Sequence, residues 1–103
     1  MQITILGKTY EARADFAAIM DAEEAEGLRL EEFGSKGTTD FLKWLYYFIK
    51  RGEELAGRKL EMSRREFCGM LEIKDVEHLA GAIELMMTAG DPAEKKESGK
   101  KKG

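Results

Sequence analysis

The chain has few of the side chains that enzymes use as nucleophiles, bases or metal ligands. It contains one cysteine, Cys68, and one histidine, His78. A thiol becomes an effective nucleophile when a neighbouring base accepts its proton and a third group orients that base. Cys68 and His78 fall on different predicted helices, and no orienting group is evident. One cysteine and one histidine also cannot assemble a structural zinc site. We therefore expect a protein without enzymatic activity, metal or cofactor, with His78 on the solvent side of its helix.

An acidic stretch in the first third of the chain is a second candidate for binding. Its carboxylates could hold a cation or contact a basic partner: Asp21, Glu23, Glu24, Glu26, Glu31 and Glu32. The stretch lacks the Asp-x-Asp-x-Asp-Gly loop of a calcium site, so a solvated helix face is the simpler interpretation. Glu23 differs from the rest, because its helical angle places it beside Phe16 and Ile19. A partly buried carboxylate at that position needs a hydrogen-bond donor.

The charge distribution disfavours nucleic-acid and nucleotide binding. The formal net charge is −3, but residues 91–103 carry five lysines against three carboxylates, which leaves residues 1–90 at −5. Helices predicted at 63–71 and 75–89 could form a helix-turn-helix, but the second contains no lysine or arginine, so phosphates would repel it. The segment 34–37 has too few glycines for a phosphate-binding loop. A small regulator or adaptor that binds nucleic acid is therefore kept only as the alternative function.

The length and hydropathy of the chain indicate one domain without a membrane span. A chain of 103 residues suits a single domain, which we place at 1–90. The longest continuous apolar stretch, residues 44–49, is far shorter than the roughly 20 residues that cross a bilayer. The N-terminus lacks the basic and apolar regions of a secretion signal, and a single cysteine favours a reducing compartment. We therefore expect the protein to remain in the cytosol in which it is made.

The N-terminal residues have the pattern of a β-hairpin followed by a helix. Ile3 and Ile5 alternate with polar residues, and Gly7-Lys8 suits a tight turn, so a hairpin is predicted over 2–14. Asp15 is a suitable N-cap for a first helix. That helix is predicted at 16–26, with Gly27 ending it, and its inward face comprises Phe16, Ile19, Met20 and Glu23. An apolar connector follows, formed by Leu28, Leu30 and Phe33.

The second helix, predicted at 39–56 with Thr38 or Thr39 as its cap, carries more aromatic surface than one helix face can bury. Its central apolar face consists of Phe41, Leu45, Phe48 and Ile49. Trp44 and Tyr46 lie at the edges of this face, and Tyr47 lies on the far side. An ordinary surface helix has an apolar stripe of little more than about 100°. Either several elements cover this helix, or Trp44, Tyr46 and Tyr47 form a docking surface, since such rings are common interface hot spots.

Two further helices complete the predicted domain. Ser63 and Glu66 form a capping box that opens a third helix, which continues through Leu71. Asp75 is predicted to cap a fourth helix through Ala89, whose inward stripe comprises Val76, Leu79, Ala80, Ile83 and Met87. Leu85 points away from that stripe and is the fourth predicted partner-binding residue.

The fourth helix is followed by residues with no apolar pattern. Gly90 ends the helix and Pro92 prevents its continuation. Residues 91–103 are predicted to be a disordered, lysine-rich tail. The expected fold class is therefore α+β and mostly α-helical, with an N-terminal β-hairpin followed by about four helices.

The order of these elements resembles the tail assembly chaperones of long-tailed phages. The resemblance covers roughly residues 2–90. It rests on a strand–Gly-Lys turn–strand segment (ITILGKTY, 3–10), an acidic helix that ends in glycine (AIMDAEEAEG, 18–27) and an aromatic helix segment (FLKWLYY, 41–47). A shorter helix and a final amphipathic helix complete the pattern.

The resemblance implies a non-catalytic protein of the infected bacterial cytoplasm that is absent from the mature virion. Members of the family keep the tape measure protein soluble while tail tube subunits polymerise around it. The tape measure protein and the tail tube protein are therefore the implied partners, and a longer product made by ribosomal frameshifting is also implied. Reversible cover for a long, apolar helical partner favours a modest interface. Surplus apolar surface on a small domain further predicts a homo-oligomer in the absence of a partner.

Overall fold

The computed structural model describes residues 1–33, 35 and 37–89, in which a β-hairpin precedes four α-helices. This arrangement confirms the predicted fold class. Two short 3₁₀ turns lie at Leu30–Glu32 and Ile73–Asp75. The predicted tail, with Gly90 and Pro92, lies outside the described residues. The strands and helices are β1 (Gln2–Ile5), β2 (Lys8–Glu11), α1 (Phe16–Glu26), α2 (Thr38–Leu55), α3 (Arg64–Met70) and α4 (Val76–Ala89).

The hairpin turn consists of Leu6 and Gly7. β1 and β2 pair antiparallel with Ile5 opposite Lys8, so Lys8 belongs to the second strand. Both turn residues have positive φ, 52° at Leu6 and 81° at Gly7, as a two-residue turn with the twist of the strands requires. The predicted turn at Gly7-Lys8 is therefore wrong by one residue, because Leu6 adopts a conformation that non-glycine residues rarely take.

Helix α1 begins and ends where its sequence signals predict, but it turns a different face to the core. The Asp15 carboxylate accepts a hydrogen bond from the Ala18 amide at 3.0 Å, and Gly27 ends the helix with φ 69°. The buried residues are Ala18, Ile19 and Ala22. The predicted inward positions of Phe16 and Met20 are wrong, since these side chains are 73% and 55% exposed. Ala18 and Ala22 lie on the side of α1 that packs against α2, and their small side chains allow the two helices to approach closely.

Helix α2 is the central element of the domain. It contacts β2, α1, α3 and α4, and six consecutive residues from Trp44 to Ile49 are buried. The aromatic sequence of α2 allowed either a core helix or a docking surface. The structure shows a core helix that is covered on several sides. The predicted threonine cap is wrong: Gly37 is the N-cap, without a side-chain hydrogen bond, and Thr38 is already helical.

Helices α3 and α4 close the far side of α2. The capping box is present in full, with Ser63 Oγ accepting from the Glu66 amide at 3.1 Å and the Glu66 carboxylate accepting from the Ser63 amide at 2.8 Å. Phe67 of α3 and the α4 residues Leu79, Ile83 and Met86 are buried. Asp75 is predicted to cap α4. In the structure its carboxylate accepts from the Glu72 amide, so it helps to cap the 3₁₀ turn that precedes α4.

The hairpin joins α2 through a close backbone approach at Gly52. A Cβ at this position would lie 2.5 Å from the Cα and N of Ala12 and from the carbonyl carbon of Glu11. Next to it, the buried Glu53 carboxylate accepts from the Glu11 amide at 2.8 Å and from the Arg58 guanidinium at 2.9 and 3.0 Å. One glycine and one buried carboxylate therefore fix the hairpin against the C-terminal end of α2.

We expect Gly52→Ala to destabilise the domain by at least 1–3 kcal/mol, roughly the cost of overpacking. The clash is with backbone atoms, which cannot move aside as a flexible side chain can. The measurement is the free energy of unfolding from urea denaturation. Gly81→Ala in α4 is the matched control, because a Cβ there meets nothing within 4 Å and should stabilise the helix by about 0.5–1 kcal/mol. Equal effects of the two changes would show that the close approach is absent in solution.

Candidate functional site

The one cysteine and the one histidine lie on different helices, Cys68 on α3 and His78 on α4. Cys68 is half-buried on α3, and burial raises the pKa of its thiol although Arg64 partly opposes the shift. His78 is exposed on α4, as predicted. Within residues 1–33, 35 and 37–89, no group of three or more histidine, cysteine or acidic side chains could hold a metal ion. No helix in the same residues is long and apolar enough to cross a membrane.

The three aromatic residues predicted to bind a partner lie in the core. Trp44 and Tyr46 are buried, and Tyr47 is only 8% exposed, so its predicted solvent-facing position is wrong. The Trp44 ring packs against Phe33 with centroids 5.7 Å apart, and the Tyr46 ring packs against Phe67 at the same distance. Phe33, in the connector before α2, covers the Trp44 edge of the apolar face of α2. Phe67 of α3 covers the Tyr46 edge. Leu85 differs from the three rings, since it is 49% exposed.

Tyr47 belongs to a polar cluster that joins three helices. Its hydroxyl donates to Glu26 Oε2 at 2.9 Å, and Arg64 Nε donates to the same oxygen at 2.8 Å. Burial alone would raise the pKa of Glu26, but the hydrogen bonds from Arg64 and Tyr47 outweigh it and the pKa is lowered. Burial, together with the hydrogen bond to Glu26, raises the pKa of Tyr47 to about 12. The cluster is a structural tie between α1, α2 and α3.

The acidic stretch divides into structural and solvent-facing carboxylates. Glu23 is half-buried and its Oε2 accepts from the Leu30 amide at 3.0 Å, which confirms the predicted need for a donor. Asp21 and Glu24 are exposed on the opposite side of α1. Beyond the end of α1, a shallow depression of about 430 Å³ is lined by Glu23, Glu24, Gly27, Leu28, Arg29 and Glu31.

Large apolar side chains that remain exposed are the best indication of a binding surface. The described residues include seven of them: Met1, Leu6, Phe16, Met20, Leu55, Ile73 and Leu85. Phe16 and Met20 lie one helical turn apart on α1, in line with Glu24 at the next turn. We call the exposed side of α1 the α1 outer face; it comprises Phe16, Ala17, Met20, Asp21 and Glu24.

Sequence reasoning missed the α1 outer face because it placed Phe16 and Met20 in the core. A signal was present, since Ala18 and Ala22 lie on the opposite side of the helix. Small residues allow close helix packing, and α2 carries the large rings that need such neighbours. Hydrophobicity alone predicts that the side of α1 with Phe16 and Met20 is buried, and this is the wrong side.

Comparisons of the chain with protein-family models, with curated proteins and with solved structures give no match. Function therefore has to be inferred from the surface described above and from the order of the elements.

The difference in burial between Tyr47 and Leu85 predicts a large loss of stability for one substitution and a small change for the other. Tyr47→Ala should destabilise the domain by roughly 3–5 kcal/mol, because it removes a buried ring and leaves Glu26 without one donor. Leu85→Ala should change stability by less than about 1 kcal/mol, as is usual for surface substitutions. Urea denaturation of both variants, with Leu45→Ala as the core reference, measures the difference. If Tyr47→Ala is as stable as Leu85→Ala, the ring does not lie where the structure places it.

The raised pKa of Tyr47 predicts a loss of stability at high pH. The ordinary value is 10.0 and the folded value is about 12, so the neutral phenol is the form that the fold favours. Its contribution is complete below pH 10.0 and is lost as the pH rises through about 12. The expected loss is on the order of 2 kcal/mol, measured as the free energy of unfolding against pH.

Tyr47→Phe is the control for this pH dependence. It keeps the buried ring but has no ionisable group, so its high-pH loss should be smaller than that of the unchanged protein. Tyr46 remains in this variant, and burial raises its pKa as well, so part of the loss should persist. Identical pH profiles for the two proteins would contradict the assignment.

Proposed function

We propose that this protein is a phage tail assembly chaperone that binds the tape measure protein, the tail tube protein or both. In this role it acts without catalysis in the cytoplasm of the infected bacterium and is absent from the mature virion. The observation that carries the proposal is the α1 outer face, where Phe16 and Met20 are exposed although the domain has a well-filled core. Neighbouring apolar side chains that are exposed and rimmed by polar residues are a feature of protein-interaction sites.

The order of the elements supports the same function. The strand–turn–strand segment, the acidic helix that ends in Gly27 and the aromatic helix are the features in which the sequence resembles the chaperone family. The acidic helix segment also contributes Met20, Asp21 and Glu24 to the α1 outer face. A fold by itself does not determine function, so the exposed surface is the stronger argument.

The reversibility that a chaperone needs agrees with the size of the surface. A helix of 11 residues offers a small contact area, and small interfaces are typical of transient complexes. The tail tube protein must displace the chaperone, so a modest interface is an advantage. Self-association of the isolated chain stays a prediction.

The alternative function, a regulator that binds nucleic acid, has little support. Helix α4 would be the recognition helix of a helix-turn-helix, and its residues Val76–Ala89 include no lysine or arginine. Arg64 at the start of α3 is already bound to Glu26. Phosphates would therefore meet the exposed carboxylates of Glu77 and Glu84 on α4, without a lysine or arginine on that helix.

Co-expression tests the proposal directly. The tape measure protein of the same phage should reach a higher soluble yield when this chain is produced with it, because its apolar helices are covered. The two proteins should also co-purify. The Tyr47→Ala variant is a suitable control, since loss of the fold should abolish the gain. An unchanged soluble yield together with no co-purification would contradict the chaperone function.

A further inference from the structure

We propose that the α1 outer face binds a helical segment that presents two apolar side chains about one turn apart, followed by lysine or arginine. The inference deepens the proposed function and rests on it for the existence of a partner.

The N-terminal half of the α1 outer face is apolar. Phe16 is 73% exposed and Met20 is 55% exposed, and residues four apart on a helix are neighbours roughly 5–6 Å apart. Ala17 beside them is small and exposed, so another helix can approach closely. Two neighbouring side chains at this spacing suit the ridges of a second helix. Methionine adapts its shape readily, which allows different sequences to be accommodated.

The C-terminal half of the same face is acidic. Asp21 and Glu24 are exposed, and α1 carries no lysine or arginine along its length. The C-terminal end of a helix adds partial negative charge. In the depression beyond it, Arg29 is paired with Glu31 at 2.6 Å, so its charge is already balanced. A basic side chain that follows the two apolar anchors would therefore meet complementary charge.

The same charges exclude two other occupants. Two copies that paired in parallel through α1 would bring acidic residues against acidic residues, and an antiparallel pair would bury the carboxylates of each copy against the apolar half of the other without a basic partner. A nucleic acid would bring phosphates against the acidic residues. A helix with apolar anchors and basic flanks satisfies both halves of the face, which selects it as the occupant.

The test uses the full chain and two synthetic peptides of about 20 residues, studied by isothermal titration calorimetry. The first peptide has two leucines one helical turn apart, followed by lysines along the same face of the helix, and the second has glutamate in place of each lysine. We expect the leucine–lysine peptide to bind and the leucine–glutamate peptide to bind at least about tenfold more weakly. Equal binding of the two peptides, or no binding of the first, would overturn the inference.

Variants locate the binding surface. Phe16→Ser with Met20→Ser should weaken binding of the leucine–lysine peptide at least about tenfold, and Glu24→Lys should weaken it through charge alone. These side chains are exposed, so circular dichroism should show an unchanged fold, and Glu24→Lys provides a second route if the double variant is less stable. Ile73→Ser is the matched control: Ile73 is 91% exposed in the 3₁₀ turn before α4, and this variant should bind the peptide as the unchanged chain does. A larger loss with Ile73→Ser would overturn the inference.

Two further measurements separate this inference from the proposed function. If the tape measure protein co-purifies equally with the unchanged chain and with the Phe16→Ser, Met20→Ser variant, the chaperone function stands and the α1 surface is wrong. If the peptides bind at α1 but the tape measure protein is not captured, the surface stands and the proposed function fails. If light scattering shows a dimer that the double variant abolishes, a second copy is the occupant and the inference is overturned.

Discussion

The domain is organised by the need to bury α2 on every side. Six consecutive residues, Trp44 to Ile49, point around the whole circumference of one helix, and all of them are buried. A single layer of neighbours cannot achieve this, so the hairpin, α1, α3 and α4 each cover a different sector. The covering elements are short, and two strands alone would be marginal in water. Their stability therefore depends on contact with α2 more than on their own propensities.

Burying tyrosines brings polar atoms into the core, and the surrounding elements are arranged to bind them. The Tyr46 hydroxyl donates to the Met62 carbonyl at 2.8 Å, while Tyr47 bonds to Glu26. In the part of the chain that the structure describes, no buried side-chain nitrogen or oxygen lacks a hydrogen-bond partner. An unpaired buried polar group would cost about 1–3 kcal/mol. These bonds therefore fix the segment before α3 and the end of α1 in specific positions around α2.

Local signals predicted the elements well, whereas the orientation of α1 and the surroundings of α2 required knowledge of the whole fold. Asp15, Gly27 and the Ser63–Glu66 capping box act within a few residues of chain, so their roles follow from local hydrogen bonding. The burial of Tyr47 depends on α1 and α3, which are distant in sequence. A helical wheel can rank the sides of α2 by hydrophobicity, but it cannot show that every side has a neighbour. The α1 outer face was missed for the same reason, since the side of α1 that is buried depends on its packing against α2.

The exposure of Phe16 is a consequence of this packing, and it gives no advantage to the isolated domain. Burying a phenylalanine side chain would stabilise the fold by roughly 1.5–3 kcal/mol. Turning α1 to achieve this would remove Ala18 and Ala22 from the buried interface with α2 and separate Glu26 from Tyr47 and Arg64. It would also move the Asp15 carboxylate away from Arg51, to which it is bonded at 3.0 Å. The bonds of Glu26 to Tyr47 and Arg64 hold one end of α1, and the Asp15–Arg51 bond holds the other. The resulting orientation leaves two of its three large apolar side chains, Phe16 and Met20, in solvent. Contacts in the core thus fix the orientation of the α1 outer face, although Phe16 and Met20 are not part of the core. The face is therefore available for a partner.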